Sequence, residues 1–289
     1  MFNSRSSAKK TYSLLFKRVA AVFILLIPGT LFSQEDADPY DVDYQFSNLD
    51  SNQTNFSKEY LIYLSGSTST TPDVPESLKA LDYSAIWIES TSQDGVIGKD
   101  YQRIRIKFLD IQKDHKEALT YRVKGKSNLR NTICRFEGSI HLIHAFLDSL
   151  DDQTVSNFGN LIASYEFHED STQVHPGIFK GILESRFYLD SSDIQTSPTL
   201  SVITTDDYSN NTFVGSWKPY KGGREKKCIW GDGLLPYVFD FDLGTNEIVV
   251  NPRYKNNGWQ TFGEFDKEYI EKADGSVMER NAWWKEKKK

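Results

Sequence analysis

Three times in this sequence a phenylalanine is followed two positions later by a glycine, inside a stretch that reads as a β-strand. The triplets are Phe136-Glu137-Gly138, Phe179-Lys180-Gly181 and Phe213-Val214-Gly215. Residues two apart on a strand share a face. A glycine there leaves room for a neighbouring aromatic ring to lie across it, and lets the sheet bend sharply. The triplets are spaced too unevenly for a repeat array. They point to a strongly curved sheet, such as a barrel.

The surrounding pattern agrees. Arg103 to Phe108 alternates strictly and puts Ile104, Ile106 and Phe108 on one face. Further strands are expected over Ala118–Val123, Thr132–Leu147 (long, or two with a bend), Leu161–Phe167, Ile178–Leu189 and Thr212–Tyr220. Lys221-Gly222-Gly223-Arg224 makes a hairpin turn into Glu225–Trp230. Tyr237–Leu243 and Glu247–Val250 close the series. Short connections between about ten strands signal an antiparallel meander. The fold class is therefore mainly β, with a curved or barrel-like sheet and one or two short peripheral helices; a two-sheet β-sandwich is the alternative. The helices are expected at Val74–Leu81, with Asp73 as cap and Pro75 in the first turn, and at Glu264–Ala273, ended by Asp274-Gly275. Gly215-Ser216-Trp217 resembles the Gly-x-Trp signature of lipocalins, although it sits late in the chain rather than at a first strand. That resemblance implies a barrel and names no ligand.

The N-terminus predicts export. Residues 1–18 carry Arg5, Lys9, Lys10, Lys17 and Arg18 and no acid, and Val19–Phe32 is uncharged. Ser33 follows as a small residue at the expected cleavage point. This order is that of a cleaved secretory signal over residues 1–33. The apolar run is shorter than the roughly 20 residues a membrane span needs, and no later run is long enough to span. Residues 34–58, with Glu35, Asp36, Asp38, Asp41 and Asp43, read as an acidic tether. One β domain then covers 59–263. Residues 264–289 form a C-terminal helix and a basic, aromatic tail. Losing residues 1–33 removes five basic residues and no acid, so the net charge moves from −6 to −11. Such a chain is a poor partner for nucleic acid or an anionic membrane.

The chemistry-bearing residues are few. Cys134 and Cys228 are the only thiols and, in an exported chain, are expected to form a disulfide. His141, His144, His168 and His175 do not converge at metal-ligand spacing, and no metal or cofactor is expected. Asp240 and Asp242 alternate with Phe239, Phe241 and Leu243, and Glu247 follows a turn. Together they are the candidate carboxylates of a glycosidase-like site. No Gly-x-Ser-x-Gly elbow or His-Glu-x-x-His helix occurs.

Trp217 to Trp259 is the most distinctive segment. Trp217, Tyr220, Trp230 and Trp259 accompany a basic cluster that includes Lys221 and Arg224, and Trp230-Gly231-Asp232-Gly233 is a turn presenting Asp232. Aromatic faces beside charged groups suit a small-molecule or glycan ligand. The leading expectation is thus an exported, noncatalytic binding or structural protein of the periplasm or cell exterior. Its ligand-binding residues would be Trp217, Tyr220, Lys221, Arg224, Trp230, Asp232 and Trp259. A carbohydrate-acting hydrolase using Asp240, Asp242 or Glu247 is the alternative. A third reading is an assembly component that uses Trp283 and Trp284. The oligomeric state is not readable from the sequence.

Overall fold

The computed structural model describes residues 56–149, 155–190, 199–202, 210–245 and 247–285. The expected signal, most of the tether and the last four residues of the tail lie outside them. The chain is mainly β and forms a closed eight-stranded antiparallel barrel. The barrel strands are β1 (Gln93–Ile97), β2 (Gln102–Lys113), β3 (Thr120–Leu129), β4 (Thr132–Ser149), β5 (Val155–Glu169), β6 (Gly177–Asp190), β8 (Asn210–Pro219) and β9 (Lys226–Asp232). Each pairs with its neighbour in chain order, and β9 returns to pair with β1. Short β7 (Thr199–Val202) pairs with the end of β6, on the edge β8 also uses. Closure removes the open sheet edges that a sandwich would have to protect.

Alternation along the strands sorts residues into two cores. The inward set includes Ile104, Ile106 and Phe108 of β2, Phe136 and Ile140 of β4, Tyr165 and Phe167 of β5, Phe213 of β8 and Trp230 of β9. These rings fill the barrel: Phe213 stacks on Trp230 with centroids 4.8 Å apart, and Tyr165 meets Trp230 edge-on at 5.2 Å. Glycines make the room. A Cβ at Gly181 or Gly215 would stand 2.7 Å from Tyr165 Oη and 2.7 Å from the facing glycine's Cα. Two of the three triplet glycines thus face each other across β6 and β8, beneath one tyrosine.

The outward set is covered by other parts of the chain. Ile162, Ile182, Val214, Ile229 and Val96 share a second core with Tyr60, Leu61, Leu235, Tyr237, Phe241, Tyr254 and Trp259. Helix α1 (Phe56–Ser65) supplies Tyr60, whose Oη donates to Glu184 at 2.6 Å. Two single-turn helices, α2 (Glu76–Lys79) and α3 (Ser84–Trp87), close one end of the barrel. Tyr83, Ile86 and Trp87 pack there beside Tyr121 and Phe187, and Trp87 Nε1 donates to Ser185 Oγ at 2.9 Å.

Several sequence expectations are corrected. Val74–Leu81 yields only the turn α2, because Asp73 is drawn into a bridge with His144 of β4 instead of capping a longer helix. Glu264–Ala273 stops after one turn, α4 (Phe265–Glu268), and becomes hairpin β10 (Tyr269–Glu271) and β11 (Val277–Glu279). Gly275, at φ +79°, turns that hairpin instead of ending a helix. Tyr237–Leu243 is not a strand: positive φ at Tyr237 (58°) and Phe239 (43°) breaks the extension, and Phe239–Phe241 forms a 3₁₀ turn. Cys134 and Cys228 are both free and buried. They sit on β4 and β9, with β3, β2 and β1 between them around the barrel wall. Cys134 Sγ lies 3.4 Å from the Val174 carbonyl.

Candidate functional site

The end of the barrel opposite α2 and α3 is open. Four connections surround it: the β1–β2 turn, the two-residue β3–β4 turn at Arg130-Asn131, the β5–β6 loop, and the β8–β9 loop through Gly222 and Gly223. Arg130 (φ 52°) and Asn131 (φ 65°) are both left-handed, as the tightest hairpin turn requires. Between these connections lies a cleft of about 720 Å³. Its apolar floor comprises Ile97, Ile104, Leu129, Phe179 and Trp217. Below them the stacked rings of the inner core fill the barrel interior.

Glu169 anchors one wall. It is the last residue of β5 and continues the inward face of Tyr165 and Phe167. Its side chain accepts three hydrogen bonds: from Ser127 Oγ at 2.5 Å, Trp217 Nε1 at 3.0 Å and the Gly177 N–H at 2.9 Å. Burial pushes its carboxyl up, against the pull of those donors. Tyr220 Oη donates to the Glu169 carbonyl at 2.9 Å. One acidic residue thus fixes both Trp217 and Tyr220, two of the aromatics singled out by the sequence. Burial and the charge of Glu169 push the Cys134 thiol up to about 11, so it is no thiolate nucleophile at neutral pH.

The mouth also gathers cations. Arg130, Lys221, Arg224 and Lys226 line it, with His175, and Glu169 is the only acid in the lining. Lys226 lies over the Trp217 ring, 5.4 Å from its centroid. Among the described residues, Lys221, Arg224 and Lys226 have no carboxylate within ion-pair distance.

The seven residues expected to bind ligand therefore divide. Trp217, Tyr220, Lys221 and Arg224 line the mouth together. Trp230 is fully buried in the inner core, and Trp259 is fully buried outside the barrel, where its Nε1 donates to the Tyr101 carbonyl at 2.8 Å. Asp232 lies at the capped end. There it accepts from Gln93 Nε2 and Asn211 Nδ2, each at 2.9 Å, and it shares a hydrogen bond with Glu89. Burial, then the Asp232 charge, pushes the Glu89 carboxyl up to about 9, so Glu89 holds the shared proton.

The candidate carboxylates serve turns. Asp242 Oδ1 accepts from the N–H groups of Gly244 (2.9 Å) and Val249 (2.8 Å); Asp240 accepts from Tyr254 Oη at 2.9 Å; Glu247 is exposed. A bulge at Leu142–His144 keeps His141 and His144 on the outer side of β4, opposite Ser164 and Ile162. Among the described residues no group of three His, Cys, Asp or Glu side chains is placed to hold a metal, and no helix is long and apolar enough to cross a membrane. Trp284 is buried against the body: its carbonyl accepts from Lys126 Nζ at 2.6 Å and its ring receives Lys107 Nζ.

Arg130, Glu169 and Ser127 are among the mouth residues that sequence reasoning missed. The signal for Glu169 was present, because alternation from Leu161 through Phe167 points it inward. Arg130 enters by topology alone, since β3 and β4 are not sequence neighbours of the Trp217 segment. No family model, no curated protein and no solved structure matches this chain.

Proposed function

We propose that this chain is an exported, noncatalytic binding protein that holds a small-molecule or glycan ligand in the open mouth of its barrel. The observation that carries this is the 720 Å³ cleft above a filled core, floored by Phe179 and Trp217. Small-molecule sites are concave, mostly apolar and of roughly 300–1,000 Å³, with a few fixed polar groups. The mouth has that form, and Glu169 fixes its indole. Export is supported by the basic, apolar and small-residue order of residues 1–33.

The test is native against denaturing mass spectrometry on residues 34–289 purified from an oxidising compartment. The expected result is extra mass in the native state alone, or mass acquired from a panel of small molecules and glycans. It should be lost in Trp217→Ala while circular dichroism still reports the barrel. A protein that stays bare and retains nothing from the panel overturns the proposal.

A further inference from the structure

The mouth is electrostatically unlike the rest of the chain. Acids outnumber basic residues 40 to 34 over the whole sequence. The mouth inverts this, with Arg130, Lys221, Arg224 and Lys226 against one carboxylate. That carboxylate is turned into the wall. Glu169 is 5% exposed, and its oxygens are occupied by Ser127, Trp217 and Gly177. Its two oxygens are thus held by wall donors and do not face the opening. The cations come from two connections that face each other across the opening and from the first residue of β9. Arg130 Nε spends its bond on a neutral partner, Gln102 Oε1, at 2.6 Å. Four cations around one opening raise its local potential, which a bound anion relieves. Beneath them the floor is apolar and aromatic.

We infer that the ligand of this cleft is an amphipathic anion, with an apolar or ring-bearing body against Trp217 and Leu129 and an acidic group among Arg130, Lys221, Arg224 and Lys226. This rests on the mouth being a binding site, as proposed above. A neutral sugar has no use for four cations, and a free inorganic anion has no use for the floor.

Two fluorescent probes separate these elements. Anilinonaphthalene sulfonate and N-phenyl-1-naphthylamine share one aromatic body, and only the first carries a charge. Titrated into folded residues 34–289, the sulfonate should bind at least about tenfold more tightly. Its affinity should fall with added salt and that of the neutral probe should not. The exposed pair of changes Lys221→Gln and Arg224→Gln should weaken the sulfonate about tenfold and leave the neutral probe unmoved. Equal binding of both probes overturns the anion inference and leaves the cleft standing as a site. A sulfonate preference that survives the double change puts the charge recognition elsewhere and also overturns it. Failure of both probes to bind removes the cleft as a site, and the proposed function with it.

Discussion

Arg103 is the strongest single point at which the barrel's outer dressing can be tested. It projects outward from β2, and its side chain is 5% exposed. Nε and Nη2 donate to the two oxygens of Asp94 at 2.6 and 2.7 Å, while Nη1 and Nη2 donate to Glu268 at 2.7 and 2.9 Å. The guanidinium also lies 5.3 Å from the Trp259 ring and 5.4 Å from that of Phe262. It thus joins the barrel wall to the 259–268 segment. Burial works to raise the Glu268 carboxyl, but the bonds from Arg103 and Thr261 hold it below its ordinary value. Arg103→Met keeps much of the volume and removes every donor. Removing one partner of a buried ion pair costs about 3–5 kcal/mol, because the remaining charge is left uncompensated. Here the lower end applies, since Glu268 keeps the Thr261 hydroxyl at 2.6 Å and Asp94 keeps Arg105 at 3.6 Å. The expected loss is about 3 kcal/mol, read from urea unfolding followed by tryptophan fluorescence. Adding Glu268→Gln should recover about 1 kcal/mol or more, because one of the stranded charges is gone. A loss under about 1 kcal/mol for Arg103→Met would place the cluster among solvated surface pairs and refute the reasoning.

The capped end should make stability depend on pH. Glu89 holds its proton up to about pH 9 in the folded chain but only to about 4.3 when unfolded, so stability falls as pH rises between those values, by at most about 1.4 kcal/mol per unit. Glu89→Gln should therefore melt higher than the parent at pH 8 and at the same temperature near pH 4; parallel melting curves at both would show that the pair does not share a proton. Gly215→Ala should cost about 1–3 kcal/mol in urea unfolding, since its Cβ has no room between β6 and Tyr165, and a neutral substitution would mean that the barrel wall is less tightly closed. Cys134 and Cys228 should react with a thiol reagent only after unfolding and then titrate as two free thiols; a mass two daltons light would show the bond that this structure lacks.

The barrel itself was legible because period-two alternation and aromatic–glycine pairs report on the same closed, curved surface. Ile104, Ile106, Phe108, Phe136 and Phe213 all face inward as their alternation requires. The misreadings have local causes. Strand β1 hides in Gln-Asp-Gly-Val-Ile, where Asp94 and Gly95 look like turn residues, although Gly95 is there because Trp230 and the backbone of β9 press against it. Tyr237–Leu243 alternates as well as any strand does. Its rings, however, are used by the second core, where Phe241 packs 4.8 Å from Trp259, and the backbone follows the packing. Half of the site was visible as the aromatic and basic run from Trp217 to Arg224. The other half, Arg130 and Glu169, required knowing that the ends of β3 and β5 meet that run around a closed wall.

The two ends of the barrel differ in how the inward alternation finishes among the described residues. At the capped end, Trp87, Tyr121 and Phe187 fill the space, and several buried polar groups pair: Asp232 takes an N–H from each of two amides, Glu89 supplies the proton, and Trp87 donates to Ser185. Those contacts turn Asp232 and Glu89 toward each other and toward the amides. At the mouth the inward alternation ends in Cys134, Glu169 and Lys226, which are smaller or more polar than the rings below them, beside Trp217. The acid spends its oxygens on donors inside the wall, whereas three of the cations have no ion-pair partner among the described residues. The same residues that stop the aromatic packing therefore create both the cleft and its charge. Changes at Lys221 or Arg224 should accordingly alter what is bound without altering the fold beneath.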